Sequence, residues 1–462
     1  MSRADIAVLP PNFPLATPLS LLAHPRRGAI SEILHYTDRC TTVAAMPGIH
    51  DPLPLANGQV LRNRLMKSAL SEALGNAEQG PDHRLVQLFS RWGAGGYGLV
   101  VTGNVMVDHN HLGEPGNVVI EDDRHLEGLS RWAKATKDGG GLIWMQVNHP
   151  GRQANPLATK HQPVAPSAVR MSVPGWQAPR ELTDVEIEDI IDRYARTAVV
   201  ADTAGFDGVQ IHGAHGYLVA QFLSPNTNRR TDRWGGDARR RMRFVLEIVR
   251  RTKAAVSPGF AVAIKLNSAD FQRGGFTEEE SRGVIAALAA EGIDLIEISG
   301  GTYESPAMEG RPVVVSTSTQ AREAYFLEYA TTARAVAGDV PLAVTGGFRT
   351  TAAMNEAIES GACDVIGLGR PTTVNPEAAN ELLSTRRDRL TVPDAALPLP
   401  TRLAATARAK AFLSAHELQW HGTQMHRLGA GSDPDPSIGP WITALRLLKN
   451  NGVEAFRKRR SS

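Results

Sequence analysis

The amino-acid sequence has little cysteine and no strong excess of charge of either sign. Its 462 residues include only two cysteines, Cys40 and Cys363, so an iron–sulfur cluster, a thiolate zinc site and a disulfide framework are unexpected. The 50 lysines and arginines nearly balance the 48 aspartates and glutamates, which argues against a nucleic-acid partner. The sequence also lacks the run of about 18 apolar residues that a membrane span needs, and prolines interrupt its N-terminus where a signal peptide needs an apolar core. We therefore expect a cytoplasmic protein.

From about residue 60 onward, short apolar runs alternate with longer amphipathic runs. The runs at 184–205 and 277–292 predict helices, and the second opens on a Thr N-cap. Eight strand–helix units predict an α/β fold of the (β/α)8 TIM-barrel type, with an open doubly wound sheet as the alternative. The eight predicted strands cover residues 64–70, 98–106, 142–149, 208–213, 261–268, 294–300, 341–347 and 364–371.

The rest of the sequence divides into two further segments. Residues 1–50 carry several prolines and predict an N-terminal arm, with one short helix near 30–37. The barrel is expected over 51–390. Residues 391–462 predict a mostly helical C-terminal extension, which begins with a proline-rich link at 393–400. This extension is larger than a bare barrel needs, so we expect it to pack outside the barrel or on another subunit of a homo-oligomer.

One glycine pattern suggests a dinucleotide-binding turn and is better explained otherwise. Gly93, Gly95 and Gly98 satisfy G-x-G-x-x-G. That fingerprint follows a strand and opens a helix, whereas here a helical run precedes it and a strand follows. We interpret it as an ordinary helix end and turn.

Glycines also stand at the ends of the last two predicted strands. The seventh ends in Gly346 and Gly347, and the eighth ends in a run with Gly369 and Arg370. In (β/α)8 enzymes the active site lies at the C-terminal ends of the strands, and these two loops commonly bind a phosphate. Glycines let backbone N–H groups approach an anion, and arginine adds charge. The sequence favours phosphate binding over the alternative that these glycines only permit tight turns.

Lys265 lies inside the apolar fifth strand, where lysine is rarely found without a partner. Two interpretations remain open. The amine could form a Schiff base, as in aldolases, or it could place a fixed positive charge beside a cofactor.

The fourth strand ends near His212, His215 comes three residues later, and Tyr217 comes just after them. A metal site would need a further ligand, for which His149 is available, but the strand ends offer no convincing carboxylate partner. The histidines could also be structural. Paired hydrogen-bond donors to a substrate oxygen fit best, and the phenol of Tyr217 is suited to protonating a carbon that has gained electrons.

Five motifs occur in the order, and at the strands, of one known family: "LRNRLMKSAL", "QVNHPGRQ", "IHGAHGYLVAQFLSPNTNRRTDRWGG", "RRRMRFVLEIV" and "IGLGRP". Over roughly residues 48–390 the sequence resembles the Old Yellow Enzyme family, the FMN-dependent NADH:flavin oxidoreductases. The resemblance implies a tightly bound, non-covalent FMN across the barrel mouth and NAD(P)H as hydride donor. Ser68, Ala69 and Leu70 would lie along the flavin edge, and Ser71 stands where the family usually has Thr or Cys. Gly103 would pass close to the ring.

The resemblance assigns the other cofactor contacts as well. Gln146 would hydrogen-bond the pyrimidine side of the flavin. Lys265 stands where the family usually carries Arg, near the flavin N1 and O2, so the charge is kept and the bidentate fork is lost. The phosphate would be bound by Gly346, Gly347, Gly369 and Arg370.

The implied reaction is a ping-pong ene-reduction. NAD(P)H reduces FMN and leaves, and an α,β-unsaturated carbonyl compound then enters the same site. His212 and His215 would hold its oxygen, flavin N5 would give a hydride to the β-carbon, and Tyr217 would protonate the α-carbon. An NADH:flavin oxidase or flavin carrier without enone reduction remains an alternative, as does a Schiff-base lyase using Lys265.

The sequence also departs from the family pattern. A tyrosine that some bacterial members carry after the first strand has no counterpart in "SEALGN", and the missing cysteine cluster excludes the larger dienoyl-CoA reductase type. No metal is expected. We interpret the polar run after Tyr217 as a scaffold that fixes the histidine segment, through Ser224, Pro225, Asn228, Arg230, Asp232, Gly235 and Gly236.

Overall fold

The computed structural model describes residues 46–171, 176–300, 326–393, 407–439 and 441–443. Eight parallel strands form a barrel, which closes because β8 pairs with β1 and β2 pairs with both β1 and β3. The strands are β1 (Leu65–Lys67), β2 (Leu99–Val101), β3 (Leu142–Asn148), β4 (Gly208–Gly213), β5 (Ala261–Asn267), β6 (Leu295–Ser299), β7 (Leu342–Thr345) and β8 (Val365–Leu368). The (β/α)8 TIM barrel is thereby confirmed.

Helices connect the strands, and local sequence signals set where several of them begin. Thr183 and Thr277 each form a capping box with the glutamate three residues later, which satisfies backbone N–H groups at the helix start. The helices are α1 (His83–Gly93), α2 (Leu126–Lys137), α3 (Asp184–Thr203), α4 (Leu218–Leu223), α5 (Ala238–Arg241), α6 (Arg243–Ala255), α7 (Glu278–Ala290), α8 (Leu327–Ala337), α9 (Thr351–Glu359), α10 (Pro371–Val374), α11 (Ala378–Leu383) and α12 (Ala407–Gly429).

Alternate strand residues separate the core into two layers. In β2, Val100 packs outward into the core shared with the helices, whereas Leu99 and Val101 point into the barrel. The inner layer is apolar at the N-terminal end of the barrel, where a hairpin of Leu53–Pro54 and Val60–Leu61 packs against it. The polar side chains of the barrel interior therefore lie at its C-terminal end.

Most predicted strands extend past the observed ones at that C-terminal end. The run 98–106 divides into β2 and a separate short strand, Val105–Met106, and the run 64–70 gives only Leu65–Lys67. The residues beyond the strands leave the sheet and line the mouth of the barrel. Gly93 is the last residue of α1, as the interpretation of the glycine pattern requires.

The C-terminal extension forms α12, which packs on α1 and on α10. The side chain of Trp420 donates to the carbonyl of Ile438 at 2.9 Å, and His426 bonds the carbonyl of Glu72 at 2.9 Å. The extension therefore reaches the mouth of the barrel as well as its outside. The predicted helix near 30–37 and most of the link 393–400 lie outside the described residues. Within the described ranges, no helix is both long and apolar enough to cross a membrane.

Candidate active site

A cavity of about 530 Å³ opens at the C-terminal ends of the barrel strands. That volume is within the range of small-molecule and cofactor sites. The fold brings to it every predicted cofactor or substrate contact except Gly103: Ser68, Ala69, Leu70, Ser71, Gln146, His212, His215, Tyr217, Lys265, Gly346, Gly347, Gly369 and Arg370. We call the part around the two histidines and Tyr217 the substrate end, and the part around the glycines and Arg370 the phosphate end.

Gly103 lies behind the cavity wall. Its backbone N–H donates to the Glu72 carboxylate at 2.9 and 3.0 Å, and a Cβ there would come within 2.2 Å of both Glu72 and the carbonyl of Leu70. Glu72 itself lines the cavity and accepts from the buried Lys67 ammonium at 3.4 Å. The Glu72 carboxylate and the Leu70 carbonyl therefore leave no room for a side chain at position 103.

Strand register places three functional side chains in one row. Lys265 of β5 is paired with His212 of β4 on one side and with Glu297 of β6 on the other. Residues paired in register point to the same face of a sheet, here the barrel interior. All three are at least 96% buried, because their exposed fractions are 4%, 4% and 0%.

Glu297 is the centre of a buried hydrogen-bond network that the sequence reasoning missed. It accepts from Lys265 Nζ at 2.8 Å, from Gln210 at 2.7 Å and from Thr345 at 2.6 Å. Gln146 donates to Gln210 at 2.8 Å, and Ser68 is 2.7 Å from Thr345, so the network reaches two predicted cofactor contacts. A glutamate inside the apolar strand "DLIEISG" was the available signal, since a buried carboxylate needs a partner.

The ion pair bears on the two interpretations of Lys265. An amine that forms a Schiff base needs a free electron pair. The Lys265 ammonium instead pairs with Glu297 inside a buried network. This arrangement favours a fixed charge at the cavity wall.

The two histidines are held in the neutral form. Burial, followed by the charges of the other histidine and of Lys265, lowers the pKa of His212 well below its ordinary value. Burial and the charge of Lys265 lower the pKa of His215 to about 3. His212 Nδ1 accepts from the Ala214 N–H at 3.3 Å, so in the neutral ring Nε2 carries the proton and can donate. His215 Nε2 lies 2.9 Å from the Ser299 hydroxyl.

The backbone at His215 is strained and held from both sides. Its φ is +59°, a conformation that non-glycine residues seldom adopt. Its N–H donates to Asn267 at 3.1 Å, and its carbonyl accepts from Gln153 at 3.1 Å. Gln153 lies in the "QVNHPGRQ" motif, so that motif fixes the histidine segment. Strain that the surroundings maintain is typical of functional sites.

Tyr217 is brought beside His212 by the start of α4. It is the residue before the helix, and its peptide N–H donates to Ala214 at 3.3 Å. Its ring centroid lies 4.7 Å from that of His212, and the side chain is 7% exposed at the cavity. A phenol and an imidazole N–H therefore lie on the same side of the cavity.

The phosphate end is built from backbone. Gly346 and Gly347 have φ of +133° and +94°, which only glycine adopts without strain. Arg370 begins the turn into α10, and its Nη1 donates to Glu417 of α12 at 2.6 Å. The remaining donors of a guanidinium can still bind an anion.

A second cluster of histidine and carboxylate lies beside the cavity. Asp108, His111 and His149 have ligand atoms within 4.8 Å of one another. His149 Nδ1 accepts from the Gly151 N–H at 3.0 Å, while His111 bonds Asp108 at 2.6 Å and the Gln162 carbonyl at 3.3 Å. Both nitrogens of His111 and Nδ1 of His149 are thus engaged in hydrogen bonds. This arrangement is typical of a structural hydrogen-bond network. Asp108 is the carboxylate neighbour of His149 that the sequence did not reveal.

The polar run after Tyr217 forms a hydrogen-bonded loop away from the cavity. Asn228 donates to the carbonyls of Phe222 and Trp234, both at 2.8 Å. Arg230, 8% exposed, donates to the Leu182 carbonyl at 2.7 Å and to Asp232. These contacts support the interpretation of this run as a scaffold.

The residues present fit an FMN. The phosphate end offers a glycine cradle and a guanidinium for a phosphate, and the buried Lys265 charge stands beside amide side chains that could bond a flavin ring. Neutral imidazoles and a phenol stand at the other end, where a small molecule could meet the ring. Such an arrangement defines a nucleotide-cofactor oxidoreductase built on a (β/α)8 barrel.

Comparison with known proteins identifies the family. Residues 48–389 match the NADH:flavin oxidoreductase / NADH oxidase family. The chain belongs to this family, the Old Yellow Enzyme family. It is therefore an NADH-dependent flavin oxidoreductase that binds FMN, with NADH as the hydride donor.

Individual relatives agree. The chain is 38% identical over 346 residues to the NADH-dependent flavin oxidoreductase iliE of Hypocrea jecorina (strain QM6a), covering 70% of this chain and 86% of that protein. It is 39% identical over 351 residues to iccE of Talaromyces variabilis, covering 70% and 83%. Among solved structures, morphinone reductase is similar with a TM-score of 0.63 and 25% identity, covering 76% and 93% of the two chains.

Proposed function

We propose that the protein is an ene-reductase, which reduces the activated C=C bond of α,β-unsaturated carbonyl compounds in a ping-pong cycle with NADH. The observation that carries this proposal is the combination of two neutral imidazoles and a phenol at the substrate end. The likeness to morphinone reductase supports it.

His212 and His215 would bind the carbonyl oxygen of the substrate. His212 presents a protonated Nε2, and an N–H donor aimed at an oxygen that gains charge lowers the energy of the transition state. The lowered pKa of each histidine keeps the pair neutral at pH 7. The two imidazoles would therefore polarise the substrate carbonyl by hydrogen bonding, without a net charge. The His215 ring would exchange its bond to Ser299 for one to the substrate or share it.

Tyr217 would deliver the proton. Its ring lies beside His212, so an oxygen held by the histidines brings the adjacent α-carbon toward the phenol. Bound FMN supplies hydride transfer from NADH to the β-carbon. The chain contributes the second hydrogen of the reduction through the phenolic O–H.

We assign the cofactor contacts as follows. Lys265 would stand against the flavin, where its charge is held in place by Glu297. Gln146 would bond the ring, with its amide oriented by Gln210. The flavin edge would lie along Ser68, Ala69, Leu70 and Ser71, and the phosphate would be bound by Gly346, Gly347, Gly369 and Arg370.

An anaerobic reoxidation experiment tests the proposal. The protein is reduced with NADH, the excess is removed, and cyclohexenone is added while the flavin absorbance is followed. Rapid return of the oxidised spectrum is expected, together with formation of cyclohexanone. If oxygen alone restores the spectrum, the protein is an NADH oxidase or a flavin carrier, the alternative that shares this site.

A further inference from the structure

The phosphate end of the cavity has one wall that comes from the C-terminal extension. Glu417 and His421 of α12 line the cavity, and their side chains contact Arg370 and Thr373. The matched family region ends at residue 389, so this wall lies beyond it. Packing of α12 on α10, the turn that follows Arg370, holds the wall in place.

His421 is buried at this wall, with one ring nitrogen engaged and the other unpaired. The side chain is 3% exposed, and Nδ1 lies 2.7 Å from the Thr373 hydroxyl. That hydroxyl donates its proton to the Arg370 carbonyl at 2.9 Å, so Nδ1 must be the donor to Thr373. The neutral ring then carries its lone pair on Nε2, which has no hydrogen-bond partner in the described part of the chain.

The charges around His421 suit an acidic ligand. Arg370 and Arg349 are the charged groups that face the ring, and Glu417, one helical turn earlier, pairs with Arg370. Burial and the two guanidinium groups lower the pKa of His421 to about 3, so a proton does not settle on it without a nearby anion. A buried lone pair without a donor is costly. A phosphate monoester supplies the negative charge and, since its second pKa lies near 6, can take up one proton on binding, which then lies between a phosphate oxygen and Nε2.

We propose that the C-terminal helix completes the FMN site: His421 Nε2 shares a proton with the cofactor phosphate, and Glu417 orients Arg370 toward the same group. Both residues are positioning residues for the cofactor. The extension thereby becomes part of the binding site, beyond the contacts assigned to the barrel.

Comparing FMN with riboflavin isolates the phosphate. Flavin is removed from the full-length protein, and the Kd of each flavin is measured by fluorescence quenching for wild type and His421→Leu. FMN binding is expected to weaken by about tenfold, as for loss of a hydrogen bond to a charged group, while the riboflavin Kd stays within about twofold. His421→Gln, which keeps a polar end, should recover part of the FMN affinity.

His426→Leu is the matched control, because His426 lies on the same helix and lines the cavity but bonds the Glu72 carbonyl. It should change both Kd values by the same factor. The same equal change in His421→Leu, or an unchanged FMN Kd, would overturn the proposal.

If His421→Leu does not fold, NMR spectra of the wild-type protein test the same contact. With 15N-labelled histidine, one Nε2 resonance should shift on addition of FMN and stay in place with riboflavin. Identical spectra with the two flavins would refute the role of His421. Failure of the ene-reductase assignment would appear separately, as FMN-loaded protein that does not reduce cyclohexenone.

Discussion

The two ends of the cavity are constructed on different principles. At the substrate end, side chains on β4, β5 and β6 point inward in one register row, and a buried ion pair holds Lys265 of β5 and Glu297 of β6 together. At the phosphate end, glycine backbone in conformations closed to other residues forms the site, with a wall from α12. Substitutions of His212, His215 or Tyr217 should therefore change the rate of substrate reduction while FMN stays bound. Substitutions at the phosphate end should weaken FMN binding and leave the rate of the FMN-loaded protein unchanged.

The largest expected effect comes from breaking the buried network around Glu297. Lys265→Met leaves the fully buried Glu297 without its cation, so the free energy of unfolding should fall by about 3–5 kcal/mol. Urea unfolding of the flavin-free protein measures this. Adding Glu297→Gln removes the unpaired charge and should restore much of the loss. A double variant as unstable as the single one would contradict the role of the ion pair.

Tyr217→Phe should separate the two half-reactions. Loss of the proton donor should slow enone reduction by about 100-fold, the usual scale for general acid catalysis, and leave reduction by NADH within about threefold. Stopped-flow absorbance records each half-reaction. Tyr329→Phe is the control, because that buried phenol bonds Ser281 away from the cavity and should leave both rates unchanged. Equal slowing of both half-reactions in Tyr217→Phe would remove this residue from the donor role.

Gly347→Ala should act on flavin affinity. Its φ of +94° strains any side chain, and the distorted loop should weaken FMN binding by about tenfold. Gly361→Ala carries a similar strain, at φ of +71°, in open space away from the cavity. Equilibrium dialysis should show weaker FMN binding for the first variant alone. If both variants bind FMN equally well, the glycine cradle does not hold the phosphate.

The smallest expected effect is a pH dependence at the substrate end. An unfolded histidine takes up a proton near pH 6.5, whereas folded His215 does so only near 3, so unfolding binds protons between these values. Stability should therefore fall as pH drops below about 6.5 and be unaffected above it. His215→Asn should remove roughly 1 kcal/mol of that fall between pH 7 and 5, since the side chain is only partly buried. His161→Asn, at an exposed position, is the control and should show the same fall in stability with pH as the wild-type protein.

The sequence predicted the barrel and most of the cavity wall because strand periodicity and family motifs are local patterns. His212 lies in β4, and His215 and Tyr217 come directly after that strand, so their neighbourhood was predictable. The hydrogen bonds of Glu297 to its partners were not, because a bond between strands depends on register, which no single strand encodes. Gly103 was assigned to the cofactor through the resemblance to the family, and that contact stays a prediction. The approach of Glu72 to its backbone was not visible in the sequence.

The paired row of His212, Lys265 and Glu297 also acts on the folding of the chain. Because side chains alternate along a strand, slipping β5 by one residue would turn Lys265 toward the helices and leave Glu297 buried without its cation. Such a misaligned barrel would lose the Lys265–Glu297 ion pair and would be strongly disfavoured. The Lys265–Glu297 ion pair at the cavity wall therefore also favours the native register between β5 and β6 during folding.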